Sequence, residues 1–181
     1  MTAQIIPYRG VLPRIHPDAF IAPNVTLIGD IEIGRGASLW FGVIARGDVH
    51  EIRIGDDTNV QDGTIIHVSR GTHATIIGAR VTIGHACIIH GCTLEDEAFV
   101  GMGATVLDGA VVEGGAVVAA GSVVPPNKRV KKGELWAGNP AKLLRELSEA
   151  DQARFSRTWT NYAELGREYR AAAAREEAAA E

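Results

Sequence analysis

Aliphatic residues return along this chain every six positions. They stand at Ile54, Val60 and Ile66, at Ile77, Ile83 and Ile89, and at Val100, Val106, Val112, Val118 and Val124. Glycine follows several of them directly, as in Ile54-Gly55, Ile77-Gly78, Ile83-Gly84 and Val100-Gly101. An amphipathic helix needs a spacing near 3.6 and a half-buried strand needs short strict alternation, so neither template accounts for a sustained six. A hexapeptide repeat does, and it predicts an all-β solenoid, a parallel β-helix. Each hexapeptide supplies one side of a triangular turn and points its aliphatic side chain at the axis, while Gly and Asn give the corners their positive φ. Three hexapeptides complete a rung, so residues eighteen apart stack at the inter-strand spacing of ~4.8 Å.

The repeat slips twice, between Ile66 and Ile77 and between Ile89 and Val100, where eleven residues replace twelve. The first slip contains Ser69-Arg70-Gly71-Thr72-His73, a polar stretch that reads as a loop leaving the coil beside His67. Ile28-Gly29, Ile33-Gly34 and Leu39 place the start of the coil near residue 20, so the coil is expected over 20–126. Residues 1–19, with Pro7, Pro13 and Pro17, form an extended, turn-rich segment before it. Val124-Pro125-Pro126 stops the repeat, and 127–147 connect it to a helix over 148–175 that opens on the capping box Ser148-Glu149-Ala150-Asp151. Phe155, Trp159, Tyr162 and Tyr169 fall at helical spacing as one aromatic stripe, to be buried on the flank of the coil or on a neighbouring subunit. Residues 176–181 end the chain as a frayed alanine-rich tail.

Composition narrows the function classes. A net charge of −4 gives no electrostatic case for nucleic acid or an anionic membrane, and no apolar run approaches the ~20 residues that span a bilayer. The N-terminus lacks a charged-then-apolar signal segment. Cys87 and Cys92, two cysteines within the coil, read as small buried residues rather than a disulfide, and the expected compartment is the cytoplasm.

Three of the six histidines have an order. His67 follows Ile66 by one position and His90 follows Ile89 by one, so the two share a phase in the hexapeptide, whereas His85 follows Ile83 by two. Neutral imidazole is the commonest ligand of catalytic divalent metals, and three protein ligands leave one open position for chemistry. One coil cannot close a tight triangle from both phases. A site shared between subunits can, with His67 and His90 from one chain and His85 from the next, and a cyclic homotrimer is the closed form this asks for. Read as plain polar positions, the three histidines simply line an exposed face.

Further residues turn this pattern into a resemblance. Arg46-Gly47-Asp48 precedes the histidines, Asn59-Val60-Gln61-Asp62-Gly63 leads into His67, and Val100-Gly101-Met102-Gly103 and Gly138-Asn139-Pro140-Ala141-Lys142 follow. Taken with His67, His85 and His90, this resembles the γ-class carbonic anhydrase family of left-handed β-helix trimers, over residues 11 to 170, and its compact bacterial members most. Handedness rests on the resemblance and not on the repeat.

The resemblance implies Zn2+, with Fe2+ or Co2+ as alternatives, held by His67, His85 and His90, and hydration of CO2 to bicarbonate by a metal-bound hydroxide. Gln61 matches the residue that orients the hydroxide, with Asn59 beside it. Arg46 and Asp48 match a pair that joins subunits across the cleft, Asp62 completes the polar network, and Tyr162 resembles a helix tyrosine near the pocket, or serves as a stripe residue. The chain departs from the active members at Val49 and Arg70, where those carry acidic residues, one of them a proton shuttle. His50 or His73 are the groups left to relay protons here.

Two other functions stay open. The Gly138–Lys142 segment also resembles the part of hexapeptide-repeat acyltransferases that meets coenzyme A, which points to acyl transfer or thioester hydrolysis. A non-catalytic trimer that binds metal or a larger complex is the third.

Overall fold

The computed structural model describes residues 2–180, with side chains through 175. The six-residue period becomes a parallel β-solenoid with three faces. One face stacks the strands Phe20–Ile21, Ser38–Leu39, Asn59–Val60, Thr82–Ile83, Phe99–Val100, Val117–Val118 and Glu134–Gly138, which gives seven rungs. A second face stacks Ile65–His67, Ile88–His90, Thr105–Val106 and Val123–Val124 on the first half of the strand Ile44–Ile54. The third carries Thr75–Ile77, Thr93–Leu94, Val111–Val112 and Arg129–Val130 on its second half.

Inward residues form unbroken columns. Leu39, Val60, Ile83, Val100 and Val118 are fully buried in one, and Ala45, Ile66, Ile89, Val106 and Val124 in another. Such columns remove apolar surface from water at roughly 25 cal/mol per Å2, the main stabilising term for a coil with few aromatic residues inside.

The register corrects three expectations. The coil begins before residue 20, because Gln4–Ile6 and Arg14–Ile15 both pair in parallel with the strand Thr26–Ile33. It also continues past Pro125-Pro126, which follow Val123–Val124, the last strand of its face, so no further rung there calls for a ladder N–H. Val130 then stacks on Val112, and Leu135 and Trp136 on Val117 and Val118, before the chain turns back as the antiparallel strand Ala141–Glu146. The slips are not equal. Ile66 to Ile77 is one side of the triangle lengthened from six residues to eleven, an insertion of five, while Ile89 to Val100 contains Leu94, a buried inward residue on a side shortened to five. The inserted residues do form the expected loop, closed by paired hydrogen bonds between Ser69 and His73.

A further irregularity was hidden in the sequence. Gly29 pairs with Gly47 but Ile31 pairs with Ile52, so a bulge at residues 48–51 bends the strand Ile44–Ile54 round the same corner as the inserted loop.

The C-terminal helix runs Glu149–Ala180. Ser148 caps it, its Oγ accepting from the Asp151 amide at 3.2 Å while Asp151 accepts from the Ser148 amide at 3.0 Å. The aromatic stripe packs on the chain's own coil. Phe155 meets Phe99, Trp159 lies under the Arg80 guanidinium, and Tyr162 and Tyr169 both meet Trp40 edge-on. The frayed tail expected over 176–181 lies outside the residues described with side chains. Among the described residues no helix is long and apolar enough to cross a membrane.

Candidate metal centre

The face that carries Ile65–His67 and Ile88–His90 is bounded by two corners, and the site residues divide between them. At the far corner the inserted loop and the bulge bring Asp48, His67 and His90 together. His90 is the direct ladder partner of His67, one rung on. His67 Nδ1 and His90 Nε2 lie 3.0 Å apart, His67 Nε2 lies 3.2 Å from Asp48 Oδ1, and His90 Nδ1 lies 2.6 Å from Asp108 Oδ1. Arg46 Nη1 donates to the other oxygen of Asp48 at 2.6 Å, so the pair expected to join subunits is joined within the chain.

At the near corner His85 Nδ1 lies 2.8 Å from Asp62 Oδ2. Gln61 precedes Asp62, is buried, and donates from Nε2 to Asn59 Oδ1 at 3.0 Å. Asn59 in turn donates to Thr82 Oγ1 and to the Val81 carbonyl. Tyr162 stands here too, half-buried against Trp40, and burial together with the negative charge of Asp62 pushes its hydroxyl pKa up. Tyr162 is therefore a stripe residue that also lies near Asp62.

Each of the three imidazoles thus has one ring nitrogen against a carboxylate, the arrangement that fixes the tautomer of metal-binding histidines. If Asp48 and Asp108 each take the N–H they face, the two remaining nitrogens present lone pairs to each other across 3.0 Å. Two facing lone pairs repel unless a cation, proton or metal, lies between them. Burial lowers the pKa of His67, and the nearby Arg46 charge adds to this, with the Asp48 hydrogen bond opposing, so the proton is disfavoured. For Asp48 and Asp108 burial works against ionisation, but hydrogen bonds, from Arg46 and His67 to the first and from His90 and Ser69 to the second, hold both below the usual carboxylate range. Imidazole nitrogens 3.0 Å apart, each ring backed by a carboxylate, fit a divalent metal.

His85 does not join the pair. It is at the other edge of the face, on the order of 10 Å of strand away, and among the described residues no three His, Cys, Asp or Glu side chains of one chain converge as a cage. Of the two proton-relay candidates, His73 lies over Gly91 and Gly109 beside Asp108, and His50 is in the bulge with Nδ1 accepting from the Glu51 amide. Val49 packs against the core and Arg70 is exposed in the loop. Cys87 and Cys92 are free and buried, and burial pushes their thiols up to about 11 and about 12. Asp108 and Ser69 were missed from the sequence. The available signal was a carboxylate one eighteen-residue step beyond a histidine.

Fold and site together define a hexapeptide-repeat protein with a histidine-rich face, and comparison with known proteins agrees. The chain is 49% identical to a hexapeptide transferase family protein from Anaplasma phagocytophilum of known structure, with a TM-score of 0.88 over 92% of this chain and 98% of that one. It is 41% identical over 167 residues to a carbonic anhydrase from Geobacillus kaustophilus, covering 92% of this chain and 91% of the relative. It is 48% identical over 164 residues to the mitochondrial gamma carbonic anhydrase 1 of Arabidopsis thaliana, covering 88% of this chain but 60% of that protein's length. No family model matches the chain. By these relatives the chain belongs to the γ-carbonic anhydrase family.

Proposed function

We propose that the protein catalyses the reversible hydration of CO2 as a homotrimer. In this reading His67 and His90 of one copy and His85 of the next hold Zn2+, or Fe2+ or Co2+ in its place, at each of three junctions. The observation that carries it is the set of three carboxylate-backed imidazoles, two with ring nitrogens 3.0 Å apart and the third at the opposite edge of the same face. The surface between the edges supports it. Ile44, Ile65 and Ile88 stack in register there with more than 40% of each exposed, an apolar ladder that a second copy would cover while bringing its own near corner to the histidine pair.

A divalent cation in such a site lowers the pKa of a water from about 15.7 toward ~7, which supplies hydroxide at neutral pH. The chain's own residues do the rest. Gln61, tethered through its amide N–H to Asn59, keeps its carbonyl oxygen as an acceptor that orients a hydroxyl group without competing for the proton, since an amide does not ionise. Asp48, Asp62 and Asp108 hold the imidazoles. Arg46 neutralises Asp48 and retains further N–H donors for a carboxylate of the adjoining copy. With Val49 and Arg70 where related enzymes carry acidic residues, one of them a proton shuttle, His73 beside Asp108 or His50 in the bulge relays the proton.

Stopped-flow hydration of CO2 tests this, on protein loaded anaerobically with zinc, iron or cobalt, beside His85→Ala. Metal-dependent hydration that disappears in the variant is expected. Metal bound at one per chain with no hydration in any form overturns the activity.

One observation favours a second reading, a coenzyme A-linked acyltransferase or thioesterase. The turn Gly138-Asn139-Pro140 lies on the His85 corner, reached through Gly103, Gly121 and Ser122 on successive rungs, roughly 14 Å along the stack from His85. That reading requires coenzyme A binding that survives removal of metal.

A further inference from the structure

The five-residue insertion and the carboxylate one rung past His90 meet at a single point. The register here is seventeen, Ile89 on Val106, which lays Asp108 over Gly91 and brings its side chain to the neighbouring His90 ring from the next rung. Its Oδ1 lies 2.6 Å from His90 Nδ1, and its Oδ2 accepts from Ser69 Oγ, in the inserted loop, at 2.8 Å. Each oxygen therefore has one directed polar partner. The approach is cut to size by the backbone, because a β-carbon at Gly91 would collide with Asp108 Oδ1. Gly91 is itself pinned, its amide donating to Thr75 Oγ1 at 2.9 Å and its carbonyl accepting from the Gly109 amide at 2.7 Å. Thr75 closes the circuit by donating to the His67 carbonyl at 2.5 Å.

We propose that Asp108, clamped by Ser69 of the inserted loop, is a positioning residue that fixes His90 as the Nδ1–H tautomer and leaves Nε2 bare and aimed at His67. A neutral imidazole in water divides between two tautomers, and only the one with a bare Nε2 offers this pair a ligand. The loop's function follows: it is not a flap over the site but the outer jaw of a clamp on the carboxylate. The consequence for metal rests on the reading above. The tautomer itself does not, because the clamp is complete in one metal-free chain.

The experiment uses the full-length, metal-free protein labelled with 15N-histidine, with long-range 1H–15N spectra reporting which His90 nitrogen is protonated, and zinc affinity measured separately by chelator competition. Wild type should show Nδ1–H alone. Asp108→Asn should keep it, because the amide oxygen still accepts, whereas Asp108→Ala should give a mixture of tautomers and bind zinc about 10- to 100-fold more weakly. Ser69→Ala should shift both in the same direction by less. Asp57→Asn alters a carboxylate laid over Gly36 at another corner and should change neither. Should Asp108→Ala not fold, Asp108→Ser decides, since its hydroxyl stays at the corner but does not reach the ring. His90 protonated on Nδ1 alone in the alanine or serine variant overturns the proposal. Wild type that takes up no zinc overturns the metal reading instead, while the tautomer comparison still decides the role of Asp108.

Discussion

From Leu94 to Val130 the third face advances by eighteen residues per rung, Leu94 to Val112 to Val130, whereas from Ile33 to Leu94 it advances by 21, 23 and 17 through Ile54 and Ile77. The regular stretch is built largely on Val, Ala and Gly and gives the histidine face one side chain, Asp108. The irregular stretch holds Arg46, Asp48, His67, His85 and His90. Yet the inward column does not notice the difference, since Ile33, Ile54, Ile77, Leu94, Val112 and Val130 are all buried. A solenoid tolerates added residues at a corner because the inward columns do not run through it, and the two insertions, at 48–51 and 69–73, both fall at the corner that holds the histidine pair. Stability comes from the columns and chemistry from the departures at their edge.

The largest effect should come from the histidines, and it tests whether the two corners act across a junction. His67→Ala and His85→Ala should each lower metal-dependent CO2 hydration by more than ~100-fold, the upper range for loss of a partner behind a ligand. Unfolded together and refolded as mixed trimers, they should regain roughly a quarter of wild-type activity, because a junction that takes its pair from one variant and its third ligand from the other is intact. No recovery in verified mixed trimers would show that the corners do not share a site.

Excising Ser69–His73 returns its rung from 23 residues to eighteen and converts the irregular region toward the regular one. The coil should fold with a thermal midpoint near wild type while zinc affinity falls about 10- to 100-fold. A variant that fails to fold would show the loop to be part of the scaffold. The opposite substitution acts on the columns: Leu94→Ala and Ile83→Ala should each cost about 2–5 kcal/mol in urea unfolding, one at the shortened side and one in full register. A much smaller loss at Leu94 would mean that the short side is loosely packed.

Smallest is the helix cap, remote from both regions. Ser148→Ala should cost about 1 kcal/mol and leave hydration unchanged. The hydrogen bond from Arg145, then those from Ser148, hold the Asp151 carboxyl below its usual range, so its contribution is present above the unfolded value near ~3.9 and is lost as pH falls below it. Circular dichroism should show the helix weakening below about pH 4 in wild type and less pH dependence in Asp151→Asn.

Much of this was legible along the chain because a six-residue period is local. Ile54 through Val124 announced the columns, Ser148 and Asp151 the cap, and the phases of His67, His85 and His90 the division between two corners. What escaped was register. Eleven residues between Ile66 and Ile77 look the same in sequence as eleven between Ile89 and Val100, but one is a side lengthened by five and the other conceals Leu94. The prolines at 125 and 126 read as a stop because the end of their own face, where no ladder N–H is called for, is visible only once the other two faces are seen to continue.

The sequence by itself determined the solenoid, the helix and the three histidines, because spacing in a stacked coil translates directly into which side a residue faces. Only the tertiary structure decided that Asp48, Asp62 and Asp108 each stand behind one imidazole, and that Ser69 reaches Asp108 across 39 positions. Those contacts run between rungs, where distance is set by the backbone hydrogen bonds of the stack and by how many residues each corner absorbs, and no single stretch of sequence encodes either.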